Sequence, residues 1–285
     1  MSVSELLRHY QLHLRKGLGQ HLLADPNVLD KIVQAAELTA DSLVLEIGPG
    51  LGTLTRALAR VAGRVIAVEL DEAMVRVLRQ ELAGLPNLEL VMGDILQLEP
   101  AALLASVTGA AGQPYTVVAN LPYYITSAVI RHLLECRRPP RRLVLTVQRE
   151  VAQRIVAAPG DMSLLAVSVQ FYGQPRLVAR IPAGAFIPPP KVDSAVIRID
   201  AHAAPPVEVP GASLFFRVVR AGFSQKRKQL RNSLSAGLGM SSQQVLDLMA
   251  RAGIQPQRRA QTLSLAEWAA LANAVAQNQS GRESL

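Results

Sequence analysis

One segment constrains the chain more than any other: Val44-Leu45-Glu46-Ile47-Gly48-Pro49-Gly50-Leu51-Gly52-Thr53-Leu54-Thr55. A short aliphatic and β-branched run carrying an acid leads into three glycines at alternate positions, and a helical pattern starts directly after them. Glycine tolerates positive φ and lets a ligand lie against the main chain, while the next helix presents its free N–H groups. Strand, glycine loop and helix in that order form the first turn of a nucleotide-binding α/β sheet. Glycines also tighten strand–helix corners with no ligand involved, so the rest of the chain has to decide.

Downstream, apolar runs of strand length alternate with helical patterns. Strands are predicted at Leu43–Ile47, Arg64–Glu69, Leu88–Met92, Tyr115–Ala119 and Leu143–Gln148. Helices are predicted at Thr53–Val61, from Asp71 onward, at Thr126–Cys136 and at Glu150–Ala157. Asp25-Pro26, an N-cap followed by proline at the first helical position, opens an earlier helix with Val28, Leu29, Ile32, Val33 and Ala36 at helical spacing. Before it, the basic, glycine-punctuated residues 15–23 read as a loop. Such alternation gives a mostly parallel sheet with helices on both faces.

Past Gly160 the texture changes. Leu165–Tyr172, Leu177–Ile181 and Ser194–Ile199 read as strands with little helix between them, an antiparallel edge. Phe186-Ile187-Pro188-Pro189-Pro190-Lys191 is a turn stiffened by prolines that fix φ. Ala201–Pro210 is Ala- and Pro-rich, and the chain beyond it reads as helical, with capping-box spacing at Ser241/Gln244 and Ser264/Glu267. The expectation is an α/β Rossmann-like domain over 1–203 and a small all-helical domain over 204–285.

The 285 residues suffice for this pair of domains. Although 49% of residues are apolar, no unbroken apolar stretch is long enough to span a bilayer, and residues 1–14 show no secretory pattern. Cys136 is the sole cysteine, which excludes an internal disulfide and a cysteine-cluster metal site; no metal is expected. A cytoplasmic protein is the expectation. The net charge of +8 and pI near 10.1 point to a polyanionic partner.

Ligands of doubly wound sheets gather at the carboxyl ends of the strands. Here those ends carry Gly48 and Gly50 of the glycine loop, Glu69, Asp94 and Asn120. An acid ending the second strand can accept both ribose hydroxyls, and one after the third can accept the exocyclic amine of an adenine. A dinucleotide fingerprint would place a third glycine where Thr53 stands, and no Walker lysine comes after the loop. Glu46-x-Gly48-x-Gly50-x-Gly52 fits S-adenosylmethionine better, a cofactor with no pyrophosphate but with an amino-acid tail to lay on the loop.

Asn120-Leu121-Pro122-Tyr123 carries the chemistry. An adenine amine is a poor nucleophile because its lone pair is delocalised into the ring. The Asn120 side-chain oxygen and the Leu121 carbonyl can accept its two hydrogens and localise that lone pair. Pro122 holds the turn rigid, and Tyr123 offers a face for an extruded base. Such stacking contributes ~1–3 kcal/mol per base and offsets much of the cost of unstacking. Phe186 is the candidate for the opposite face.

With these residues in hand, the chain resembles the ribosomal RNA adenine dimethyltransferases of the KsgA/RsmA type, from about Lys16 to about Ala272. The motifs are Lys16…Gly19-Gln20, Glu46 to Gly52, Gly93-Asp94, Asn120 to Tyr123, Phe186 with Pro188 to Ala195, and Phe223…Arg227-Lys228…Leu230…Asn232. The resemblance implies a class I S-adenosylmethionine-dependent methyltransferase fold. It implies that His21 and Leu23 contact the cofactor alongside Gly48, Glu69, Asp94 and Asn120. It also implies dimethylation at N6 of two adjacent adenosines near the 3′ end of 16S small-subunit rRNA, within an immature 30S particle. The family usually has Asn-Phe-Leu where this chain has His21-Leu22-Leu23.

Lys226, Arg227, Lys228 and Arg231 are placed at the start of a helix and read as phosphate contacts, which position RNA without reading its sequence. Two alternatives stand beside the main reading: a large-subunit rRNA or DNA adenine methyltransferase, and a small-subunit assembly factor with secondary methylation. Nothing in the sequence demands more than a monomer.

Overall fold

The computed structural model describes residues 1–283 apart from 13, 16, 18, 110, 111 and 226, with side chains described through residue 279. The chain divides into two compact units, Met1–Gln153 with Gln174–Ala201, and Arg154–Gly173 with His202–Leu285.

In chain order the elements of the first part are α1 (Val3–His9), β1 (Leu22–Leu23), α2 (Pro26–Ala36), β2 (Leu43–Ile47), α3 (Thr53–Ala59), β3 (Arg64–Glu69), α4 (Glu72–Glu81), β4 (Leu88–Met92), α5 (Pro100–Thr108), β5 (Tyr115–Asn120), α6 (Thr126–Glu135), β6 (Arg142–Gln148) and α7 (Arg149–Ile155). After α8 (Leu164–Tyr172) come β7 (Gly173–Ile181), β8 (Phe186–Ile187) and β9 (Ser194–Ala201). Seven strands form one sheet in the order β4-β3-β2-β5-β6-β9-β7, while β1 and β8 pair separately. The five strands from the β4 edge to β6 run parallel, and β9 lies antiparallel on β6. The chain winds outward from β2 to β4, then returns to β5 on the other side of β2. The crevice where the winding reverses is the ligand-binding position of such sheets.

Local sequence explains these elements. β2, β5 and β6 are mostly apolar and buried along nearly their whole length, as strands of a parallel sheet covered on both faces are. The Asp25 side chain accepts from Asn27 N at 2.9 Å and Pro26 occupies the first turn of α2, as the sequence predicts. Asp71 caps α4 in the same way through Ala73 N at 2.9 Å. Leu22-Leu23, expected in a loop, instead form β1 against Ile187 and Phe186.

The second unit packs α8 with α9 (Ala212–Phe223), α10 (Leu230–Leu238), α11 (Ser242–Arg251) and α12 (Leu265–Glu283) around Phe171, Phe215, Trp268 and Leu230. Both expected capping boxes form, Ser241 with Gln244 and Ser264 with Glu267. The strand expected over Leu165–Tyr172 is the helix α8, capped by Ser163, whose side chain accepts from Ala166 N at 3.1 Å. Leu165, Ala166, Val167, Ser168, Val169 and Phe171 are all buried. A short run buried on every side carries no periodicity to separate helix from strand. For the same reason residues 154–173 fall in the helical unit, whereas the expected boundary near 203 coincides with the crossing at Ala201/His202.

Candidate active site

All the strand-end residues singled out in the sequence meet at the reversal crevice. Ile47 of β2 is level with Ala119 of β5, so Gly48 and Asn120, one residue beyond, stand side by side. The resulting pocket is a crevice open to solvent at its mouth. His21, Gly48, Gly50, Glu69, Asp94 and Asn120 line it, joined by Leu121, Pro122 and Tyr123.

The glycine loop is held by main-chain bonds, Gly48 N to Val68 O and Gly52 N to Pro49 O, both 2.9 Å. Gly50 sits at φ +59°, and a Cβ there would lie 2.7 Å from Leu22 Cδ2. A side chain at this position would therefore displace the Leu22 methyl that lines the pocket and would be strained by the positive φ. At Gly52, φ is +80° and a Cβ would meet Leu82 at 2.9 Å, so glycine here sets how closely the loop approaches the strand–helix layer.

Glu69, 7% exposed, accepts from Gly50 N at 3.2 Å and from Asp71 N at 2.9 Å. Burial pushes its carboxyl above the usual carboxylate range, and those two N–H donors oppose the rise. The arrangement fixes the carboxylate at the end of β3 while leaving lone pairs for a diol. Asp94 Oδ1 accepts from Leu96 N at 2.9 Å, and Oδ2 has no partner among the described residues, which suits it to an exocyclic amine.

Asn120 Nδ2 donates to the His21 carbonyl oxygen at 2.8 Å. A carbonyl can only accept, so this bond fixes the amide's orientation and leaves Oδ1 as an acceptor in the pocket. The Leu121 carbonyl likewise accepts no hydrogen bond among the described residues. Two adjacent acceptors are the arrangement that an amine with two hydrogens requires. Tyr123 Oη pairs with Ser194 Oγ at 2.6 Å, and its ring lies stacked with that of His21 at 5.7 Å and 23°. His21 Nδ1 in turn donates to the Pro188 carbonyl at 2.8 Å, tying the proline turn to the pocket.

Two sequence expectations place residues elsewhere. Phe186 is 2% exposed and packs in the core with Leu23, Val28 and Ile181, away from the pocket wall. Its pairing with Leu23 across β1–β8 turns both side chains into the same apolar cluster. Leu23 therefore contributes packing, and its carbonyl accepts from Thr53 Oγ1 at 3.2 Å; Leu22 is the residue that lines the pocket. The proline-rich turn signalled a special position without revealing which way its phenylalanine faced. Reading strand ends for charge alone missed the apolar walls Ile47, Val68, Leu70 and Ile95.

In the second unit Arg227 and Lys228 are exposed in the connection before α10, which begins at Leu230, so they precede the helix they were expected to start. Arg231 lies in its first turn, with Nε buried and without a partner among the described residues. Lys226, like Lys16 of the N-terminal motif, lies outside the described residues. Among the described residues there is no cluster of His, Cys, Asp and Glu suited to a metal, and no helix long and apolar enough to cross a membrane.

One acid of the motif behaves differently from the rest. Glu46, in β2, has both carboxylate oxygens buried without a well-formed hydrogen bond among the described residues, and the buried Thr55 hydroxyl is the polar group that acts on it. Burial pushes the Glu46 carboxyl up to about 8.

Comparison with known proteins agrees with this geometry. Residues 11–277 match the family model described as ribosomal RNA adenine dimethylase. A Dehalococcoides mccartyi protein named ribosomal RNA small subunit methyltransferase A is 48% identical over 96% of this chain and 92% of its own. The protein of that name from Pelotomaculum thermopropionicum is 45% identical over 95% of this chain and 94% of its own. Among solved structures, a dimethyladenosine transferase from Plasmodium falciparum is similar, with a TM-score of 0.74 at 26% identity over 92% of this chain and 98% of that one. The 23S rRNA methyltransferase ErmE is also similar, with a TM-score of 0.70 at 29% identity over 90% and 99%. The sheet order, the mostly parallel strands and the helical second unit are the class I methyltransferase architecture shared with these structures. The chain belongs to the ribosomal RNA adenine dimethylase family.

Proposed function

We propose that the chain is an S-adenosylmethionine-dependent rRNA adenine N6-dimethyltransferase acting, as a cytoplasmic monomer, on two adjacent adenosines near the 3′ end of small-subunit rRNA within an immature 30S particle. The observation that carries the reading is the pair of free acceptors, Asn120 Oδ1 and the Leu121 carbonyl, at the mouth of a pocket otherwise built for an adenosine.

The pocket suits the cofactor on its own terms. Main chain at Gly48 and Gly50 leaves room for an amino-acid tail, Glu69 offers a carboxylate to a ribose diol, and Asp94 Oδ2 faces no competitor for an adenine amine. Ile47, Val68 and Ile95 supply apolar walls for the ring. When bound, S-adenosylmethionine supplies a methyl group already activated on a sulfonium, so the protein needs no strong base.

The protein's own work is on the acceptor. Asn120 Oδ1 and the Leu121 carbonyl accept hydrogen bonds from the two N6 hydrogens and localise the lone pair for attack on the methyl group, one N6 proton leaving to solvent after transfer, and His21 keeps the Asn120 amide from turning. Tyr123, its hydroxyl anchored on Ser194, gives the extruded base a ring to stack on. Arg227, Lys228 and Arg231, with Lys226 in the same run, hold RNA phosphates.

Relatives named for the small subunit are 38–49% identical, against 29% for ErmE, which is named for 23S rRNA. The large-subunit reading is therefore the second one. Offering labelled S-adenosylmethionine with undermethylated small subunits, large-subunit RNA and duplex DNA side by side separates them. Label confined to small subunits supports the proposal; label on either of the others overturns it.

A further inference from the structure

We propose that Tyr124 is a second stacking platform, a seat for the unpaired base next to the adenosine being methylated; this rests on the reading of the pocket as an RNA adenine methyltransferase site. Tyr124 is 60% exposed, and it is the only Phe, Tyr or Trp side chain among the described residues that stands open to solvent. Exposure of one ring is ordinary in itself; its place on the lining of the site is what gives it meaning.

Its position narrows what would cover it. Tyr124 follows Tyr123 directly, and both line the same pocket mouth. The backbone beneath it is fixed by Ile125 N to Pro122 O at 3.2 Å, and α6 begins two residues later at Thr126. Gly19, at φ +57°, lies under the ring's edge, where a Cβ would come 3.4 Å from Tyr124 Cδ1 and 3.8 Å from Pro122 Cβ. One edge of the ring thus borders Gly19, while most of the side chain is open to solvent. Among the described residues none hydrogen-bonds its hydroxyl and no ring stacks on it, in contrast to Tyr123, whose hydroxyl is held by Ser194 and one of whose faces lies against His21.

Pulling one base out of a strand breaks its stacking with a neighbour, and the neighbour is left with a bare face one nucleotide away. An open aromatic ring one residue from the acceptor's own platform restores that stacking on protein. Every base has a π-face, so such a seat adds affinity for a single-stranded or splayed segment without requiring a particular sequence. It also favours a substrate in which the target has an unpaired neighbour over one embedded in continuous duplex.

The test compares Tyr124→Ala with Tyr124→Phe on undermethylated small subunits. It adds a short RNA hairpin carrying 2-aminopurine beside the adenosine that the wild-type chain methylates. The expected result is a rise in KM of about tenfold for Tyr124→Ala, larger than any fall in kcat, with the wild-type KM restored by Tyr124→Phe. The 2-aminopurine fluorescence should be quenched by wild type and by Tyr124→Phe but not by Tyr124→Ala. A wild-type chain that methylates adenosine while Tyr124→Ala shows unchanged KM and unchanged quenching overturns the platform alone. A wild-type chain that methylates no RNA adenosine overturns the parent reading and the platform with it.

Discussion

Asn120 Nδ2 and the His21 carbonyl oxygen lie 2.8 Å apart, 99 residues distant in sequence, and this one bond sets the direction of the acceptor's amide. His21 immediately precedes β1 and Asn120 ends β5, so the orientation of the reacting group depends on the N-terminal strap packing against the sheet. The imidazole of the same residue reaches Pro188 O at 2.8 Å and stacks with Tyr123, so one side chain joins three parts of the site.

Asn120→Asp isolates that orienting bond. The variant keeps the volume and an acceptor oxygen but sets a second acceptor against the His21 carbonyl, with no donor between them. Methyl transfer is expected to fall at least about tenfold, and the loss should appear in kcat more than in cofactor affinity. A variant as fast as wild type would show that His21 does not orient the amide.

Glu46 makes stability depend on pH. Its carboxyl titrates at about 8 in the folded chain against an ordinary 4.5, so between those values the folded state holds a proton that the unfolded state has lost. The stability this contributes is full below the lower value, declines as pH rises, and is gone above about 8. Glu46→Gln is neutral throughout, and denaturant unfolding between about pH 5 and about pH 8 should be flatter for it by up to about 1.4 kcal/mol per pH unit. Parallel pH profiles for the two proteins would contradict the buried state of this acid.

Phe186 separates packing from stacking. Phe186→Ala removes a core ring and is expected to cost ~3–5 kcal/mol of stability. Phe186→Leu refills most of that space and should recover most of the stability together with methyl transfer. A stable Phe186→Leu protein that had lost transfer would place the ring against the substrate instead.

The basic residues of the second unit are tested by salt. Lys228→Ala combined with Arg231→Ala should weaken RNA binding and lower the slope of log affinity against log salt by about 2. An unchanged slope would mean that these cations only face solvent.

The parallel core was legible because its signals are local and redundant. Leu43–Ile47 and Arg64–Glu69 each carry strand composition, an acid or glycine at the end and a helix pattern after it, Leu88–Met92 carries strand composition followed by Gly93-Asp94, and each strand forms as read. The crevice residues Gly48, Glu69, Asp94 and Asn120 were legible for the same reason, since the topology brings strand ends together whatever the side-chain detail. Where one local feature stood alone, it misled. Leu165–Tyr172 has only Ser168 and Gln170 as polar residues and is buried on nearly every side, which left only Ser163 to announce a helix. Phe186 sits in a turn whose prolines are visible in sequence, but which way its ring faces depends on pairing with Leu23, a distant contact that no local pattern encodes. The His21–Asn120 bond is of the same long-range kind.

The most direct test is nucleoside analysis of small-subunit RNA after reaction with the wild-type chain and with Asn120→Ala, using undermethylated small subunits and excess S-adenosylmethionine. The expected result is N6,N6-dimethyladenosine with wild type and a loss of about a hundredfold or more in its rate of formation with Asn120→Ala, with cofactor affinity only modestly weaker. Methyl groups on another base, or near-normal dimethyladenosine from Asn120→Ala, would contradict the role assigned to the Asn120 pocket.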